Sequence, residues 1–143
     1  MRYVLLVSHG EFAPGLHKAI EMLAGSREDI LSTSLKNGMG ADEFAVNLRE
    51  VIKNITAEDE IAVFADIVGG SPLTTTANVL GEAGLLGKTI MVGGMNLPIV
   101  LNTVLSKDYA EDLKEHIRSS VIPESREMIQ EFQVAVEESE DDI

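Results

Sequence analysis

Apolar residues in this chain fall into short unbroken runs separated by longer stretches of helical periodicity. Tyr3-Val4-Leu5-Leu6-Val7 is one such run, bounded by Ser8-His9-Gly10, and reads as a strand covered on both faces. Leu16, Ala19, Ile20, Met22 and Leu23 recur at helical spacing up to Gly25, which predicts a helix with a glycine at its C-cap. Ile30 to Leu35 reads as a second, more polar strand, followed by the turn Asn37-Gly38-Met39-Gly40. A helix opening at Ala41 or Asp42 then carries Phe44, Val46, Leu48, Val51, Ile52 and Ile55. Ile61-Ala62-Val63-Phe64-Ala65 is a third buried strand, ending at Asp66. In Gly69-Gly70-Ser71-Pro72, Ser71 is placed as the N-cap and Pro72 at the first helical position of a helix carrying Leu73, Ala77, Val79 and Leu80. Thr89-Ile90-Met91-Val92 is the fourth strand, ending in Gly93-Gly94, and Asn96-Leu97-Pro98 opens a helix through Leu105. A final helix is expected from near Lys107-Asp108, including Leu113, Ile117 and Val121.

Strands and helices alternating with this regularity predict an α/β fold: an open, mostly parallel, doubly wound sheet of four parallel strands with helices on both faces. The end of the chain carries two patterns. Phe132, Val134 and Val136 alternate with Gln133, Ala135 and Glu137 as in a strand, while Met128, Ile129, Phe132 and Val136 fit one face of a helix. The strand is the preferred reading, as a terminal antiparallel edge strand. Residues 1–136 are read as a single domain and 137–143 as a solvated acidic tail.

With 143 residues the chain is long enough for one domain with its own core. The absence of cysteine rules out a disulfide framework and thiolate chemistry, and fits a cytoplasmic setting. No apolar stretch approaches the roughly 20 residues of a membrane span, and the start of the chain lacks the pattern of a signal peptide. The net charge of −13 argues against nucleic acid as a partner, because phosphate neutralisation needs clustered Lys and Arg. It favours partners with a basic face.

Three of the four expected strands end in residues with chemical potential: His9-Gly10, Asp66 ahead of Gly69-Gly70-Ser71-Pro72, and Gly93-Gly94 ahead of Asn96. Parallel strands present their carboxyl ends along one edge, so these segments are expected to converge. An Asp beside a His can hold the imidazole tautomer through one ring nitrogen and leave the other free as a nucleophile. A Gly-Gly-Ser-Pro turn entering a helix offers unpaired N–H groups and a hydroxyl to an anion. The candidate site is therefore His9 and Asp66 as the reacting pair, with Gly69, Gly70 and Ser71 holding phosphate oxygens. His17, inside an amphipathic helix, is expected at a surface or boundary, and His116, among Glu115 and Arg118, in solvent. No His, Asp or Glu set has metal-ligand spacing, and no cofactor is called for.

At these residues the chain resembles the IIA domain of the mannose, fructose and sorbose family of sugar phosphotransferase systems. The resemblance rests on Val7-Ser8-His9-Gly10, Ala24-Gly25, Asp66-Ile67-Val68-Gly69-Gly70-Ser71-Pro72 and Gly94-Met95-Asn96-Leu97-Pro98, in matching order across about the first 120 residues. It implies that His9 is phosphorylated by the phosphocarrier protein HPr and passes the phosphoryl group to a histidine of a IIB protein. It also implies that Asp66 bonds the other ring nitrogen, that membrane IIC and IID components act downstream, and that the protein is a homodimer exchanging an edge strand. Val68 departs from the pattern, since several relatives carry an aromatic residue there. With one domain expected, the IIB partner is expected as a separate polypeptide.

Three other readings share some of these features. The phosphotransfer subunit of dihydroxyacetone kinase resembles the same fold and uses the same histidine chemistry. Leu6-Val7-Ser8-His9-Gly10-Glu11 is also similar to the Arg-His-Gly-Glu turn of histidine phosphatases, but Ser8 stands where those enzymes need arginine. A non-catalytic binding module of flavodoxin-like shape would leave the meeting of His9 and Asp66 without a role.

Overall fold

The computed structural model describes residues 1–135. Val136, the end of the expected terminal strand, and the acidic residues 137–143 lie outside the described residues. Four parallel strands, β1 (Arg2–His9), β2 (Ile30–Leu35), β3 (Glu60–Ala65) and β4 (Thr89–Val92), form one sheet in the order β2-β1-β3-β4. The helices are α1 (Phe12–Ala24), α2 (Ala41–Val51), α3 (Ser71–Glu82) and α4 (Leu97–Ser106). A last helical run comprises α5 (Leu113–His116), a π-helical turn (Ile117–Val121) and α6 (Ile122–Arg126). The doubly wound α/β architecture expected from the sequence is therefore the one observed.

Alternation along β1 builds both layers. Val4 and Leu6 pack with α1, α4 and the last helical run, while Leu5 and Val7 pack on the opposite face with Phe44 and Leu48 of α2 and Val79 and Leu80 of α3. From β1 the chain first moves outward to β2 and then returns past β1 to β3 and β4. Reversing direction while keeping one crossover hand sends α1 to one face and α2 and α3 to the other. The reversal leaves a topological switch point between β1 and β3, where open α/β sheets bind ligands at the carboxyl ends of the strands.

Several boundaries differ from the sequence reading. β1 runs on through Ser8 and His9, because both residues continue the ladder against Ser34 and Leu35 of β2. α2 ends at Val51, and Ile55 is buried from the turn beyond it, while Val46 faces solvent. Gly70, not Ser71, is the N-cap of α3, so Ser71 and Pro72 take the first two helical positions. Asn96 caps α4 by accepting from the Ile99 N–H at 3.0 Å. The last helix begins later than expected: Lys107–Tyr109 is a single 3₁₀ turn, and Asp112 caps α5 instead. Residues 130–135 form neither helix nor strand, and Phe132 is 87% exposed.

The turn at Lys107 departs from the helical pattern because its side chain points inward. Lys107 is only 1% exposed, with its ammonium 2.7 Å from Asp29 and 3.2 Å from Asp108. Arg27 reaches the same two carboxylates, and Arg2 donates to the carbonyls of Lys107 and Ala110. This ionic cluster ties the start of β1 and β2 to the segment after α4, at the end of the sheet opposite His9.

Candidate functional site

His9 is the last residue of β1, and β3 stops short of it: the final register pair is Val7 with Ala65. The N–H of His9 would be the next rung toward β3, and the side chain of Asp66 supplies that rung. Asp66 Oδ2 accepts from the His9 backbone N–H at 2.9 Å and lies 2.8 Å from Nδ1 of the same residue's ring. Its other oxygen accepts from the Ile67 N–H at 2.9 Å. Burial pushes the Asp66 carboxyl upward, but the backbone N–H of His9, the His9 ring and the Ile67 N–H together hold it below the usual carboxylate value. A carboxylate that stays ionised keeps the proton of a neutral imidazole on Nδ1, which leaves the Nε2 lone pair free. The His9 side chain is 47% exposed, so Nε2 is open to an incoming group.

The turn after His9 is held from both sides. Gly10 adopts φ +58°, and its N–H donates to the Leu35 carbonyl of β2 at 2.9 Å. Ser8 is fully buried, and its hydroxyl accepts from the Ala13 N–H at 2.7 Å, fixing the first turn of α1 against the end of β1. The position that would carry a phosphatase arginine is thus a helix-anchoring hydroxyl.

The Gly-rich loop lies against the ring at Cε1. A Cβ on Gly70 would sit 2.8 Å from Cε1 of His9 and 3.3 Å from the Ile67 side chain. The backbone of Gly70 is extended, so its glycine identity is required by the ring rather than by its own torsions. Among the described residues the N–H groups of Gly70, Ser71 and Leu73 have no acceptor in the protein, and Ser71 is exposed. These are the free donors of the α3 N-terminus. Gly69 (φ +87°) makes the turn but presents no side chain or strained contact toward the ring. Gly93 is a second close approach: a Cβ there would lie 2.8 Å from the Val68 backbone nitrogen. Gly94 and Met95 then donate to the carbonyls of Asp66 and Ala65 at 3.2 and 2.9 Å, so the end of β4 is stitched to the end of β3.

All five residues expected at the site, His9, Asp66, Gly69, Gly70 and Ser71, lie at this one edge. His17 and His116 do not. His17 pairs with Ser32 at 2.7 Å, and His116, expected in solvent, is half-buried with Nε2 2.7 Å from the Ser106 hydroxyl. Among the described residues no group of His, Asp and Glu could hold a metal ion, and no helix is long and apolar enough to cross a membrane. The structure adds residues that the sequence reading passed over. Lys36 and Met39, from the turn after β2, line an open recess of about 450 Å³ with His9. The pairing of His9 with Leu35 is the signal that places them there, since Lys36 is the next residue. Ile67 and Val68, in the loop that follows Asp66, are both exposed apolar residues.

Gly70→Ala tests whether the loop positions the ring. The added methyl displaces either the ring or the loop, at the expense of the 2.8 Å bond to Asp66. Loss of a charge-assisted hydrogen bond of about 1.5–3 kcal/mol corresponds to a fall of roughly 10- to 100-fold in reaction at His9. The thermal midpoint should stay near that of the parent protein. Unchanged reactivity would show that the loop and the ring are merely neighbours.

The fold and this edge define a doubly wound α/β domain with a carboxylate-held histidine at its switch point. A sequence model of the EIIA-man family, described as the PTS system fructose IIA component, matches residues 3–121. The chain belongs to this family of sugar phosphotransferase-system IIA components. A PTS system fructose-specific EIIA component of Bacillus subtilis (strain 168) is 29% identical over 114 residues, covering 80% of this chain and 71% of the relative. The crystal structure of the phosphotransferase system component EIIA from Streptococcus agalactiae superposes with a TM-score of 0.78 at 27% identity, covering 92% of this chain and 98% of that one. The PTS IIA protein associated with the fucose utilization operon of Streptococcus pneumoniae gives a TM-score of 0.72 at 25% identity, covering 91% and 92%.

Proposed function

We propose that this protein is a cytoplasmic phosphoryl carrier in which His9 takes a phosphoryl group from HPr and gives it to a IIB protein, whose membrane IIC and IID partners move the sugar. The observation that carries the reading is the 2.8 Å bond between His9 Nδ1 and Asp66, which leaves Nε2 as the exposed nucleophile. In the transfer, the Nε2 lone pair forms a bond to phosphorus while the donor's bond to phosphorus breaks, its electron pair leaving with the donor. No proton needs to move. The ring gains positive charge with its proton still on Nδ1, and the ionised Asp66 faces that charge directly. The same balance in reverse releases the group to the acceptor.

A phosphoryl group brings about two negative charges to a chain already at −13. The free N–H groups of Gly70 and Ser71 and the Ser71 hydroxyl, at the positive end of α3, offer it local donors. Ser71 stands in the first turn of the helix, and its N–H and hydroxyl serve this role from there. The protein acts as a homodimer in this reading: among the described residues β4 has a neighbour only on its β3 side, and the alternating Phe132 and Val134 are exposed. The exchange of this segment between protomers would cover both.

Incubation with phosphoenolpyruvate, enzyme I and HPr should yield an acid-labile, base-stable phosphoprotein with the label mapped to His9 by mass spectrometry. His17→Ala should label like the parent protein. Label on any residue other than His9, or none at all, overturns the proposal.

A further inference from the structure

We infer that Lys36 is the counter-charge of phosphorylated His9: its ammonium leaves Glu11 for the phosphoryl group once His9 carries it. The inference rests on the carrier reading and adds to it a cation that none of the site's motifs supplies. Lys36 is the residue after Leu35, whose Cα is the register partner of His9, and both line the recess into which the ring opens. It is the one lysine or arginine among the described residues of that recess. Its ammonium lies 3.6 Å from a carboxylate oxygen of Glu11, two residues beyond His9, and both side chains are exposed. Backbone bonds hold the two main-chain turns: the Lys36 carbonyl accepts from the Met39 N–H, and the Gly10 N–H donates to the Leu35 carbonyl.

An exposed pair of single charges is weak and easily exchanged. A phosphoryl group on Nε2 presents about twice the charge of a carboxylate, so it competes with Glu11 for a cation carried on a long flexible stem. Glu11 in turn holds the ammonium beside the histidine while the phosphoryl group is absent. Two sets of donors then act on the phosphoryl group: the α3 N-terminus past Gly70, and Lys36 from the turn after β2. An ammonium acts as a mobile point charge rather than a bidentate clamp, which suits a group that must be passed on.

The test phosphorylates the full-length protein chemically with phosphoramidate, so that no protein donor is involved. The phosphoryl titration is then followed by ³¹P NMR, with the His9 signal identified by its absence from His9→Ala treated in the same way. A cation nearby favours the dianion, so Lys36→Gln should raise the phosphoryl pKa by about 0.5–1 unit at low salt. Lys36→Arg should restore the parent value, Glu11→Gln should lower it, and added salt should shrink all the differences. If Lys36→Gln titrates with the parent protein at low salt, the inference is overturned. Failure of the parent protein to accept phosphate from HPr would sink the carrier reading instead, and the titration would still decide the role of Lys36.

Discussion

Asp66→Asn should slow phosphoryl transfer through His9 by roughly 10⁴-fold, the loss seen when a carboxylate that sets a histidine's tautomer becomes an amide. The physical basis is the double use of one oxygen. Asp66 Oδ2 accepts both from the His9 backbone N–H and from the ring. An asparagine oxygen can keep the backbone bond, so β1 and β3 stay in register and the fold survives. It cannot face the ring's positive charge with a negative one, and an amide NH₂ turned toward Nδ1 would move the ring proton to Nε2, blocking the nucleophile. His9→Ala sets the floor of the assay. Stopped-flow or quench measurements of transfer from phosphorylated HPr, with circular dichroism as the check on folding, give the comparison. A rate within tenfold of the parent would mean that Asp66 only closes the strand end.

Lys107→Met should destabilise the protein by about 3 kcal/mol, the low end for breaking a buried ion pair by removing one partner. Methionine fills the space of the lysine stem but strands the Asp29 carboxylate, which is 14% exposed and keeps Arg27 as its remaining partner. A loss of this size lowers the thermal midpoint by on the order of 10 °C. The cluster also sets a pH dependence. Burial pushes the Asp29 carboxyl up, but hydrogen bonds from Arg27 and Lys107 outweigh it and bring its pKa from 3.8 to about 2. Because the folded value is the lower one, this stabilisation is present above pH 3.8 and is lost as pH falls toward 2. The shift corresponds to about 2 kcal/mol. Urea unfolding at several pH values should show the parent protein losing stability in that window and Lys107→Met losing less. Parallel acid profiles of equal height would remove the cluster from the account of stability.

Much of the site was legible because strand ends are legible. The apolar runs Tyr3–Val7 and Ile61–Ala65 stop one or two residues before His9 and Asp66. In a parallel sheet two such ends share an edge whatever the details of packing. The proline at position 72 likewise announced a helix start after β3, because its fixed φ suits the first turn of a helix. Where the cap fell was decided by geometry: with Gly70 lying against the His9 ring, the extended cap residue is the one without a side chain, and Ser71 moves into the helix.

Other features had no local signal. Lys107 sits in a stretch whose pattern reads as helix, and its burial depends on Asp29 and Asp108 arriving at the same point. An ion pair across 78 residues leaves no periodicity behind it. Gly93 resembles any strand-end glycine until the Val68 backbone is found against it. Hydrophobic periodicity and turn chemistry are properties of neighbouring residues, so the sequence by itself determined the elements, their alternation and the edge at which His9 and Asp66 meet. The strand order brought Lys36 beside His9 and set the buried ionic cluster at the far end of the sheet. Those pairings join residues distant in the chain, and only the tertiary structure decided them.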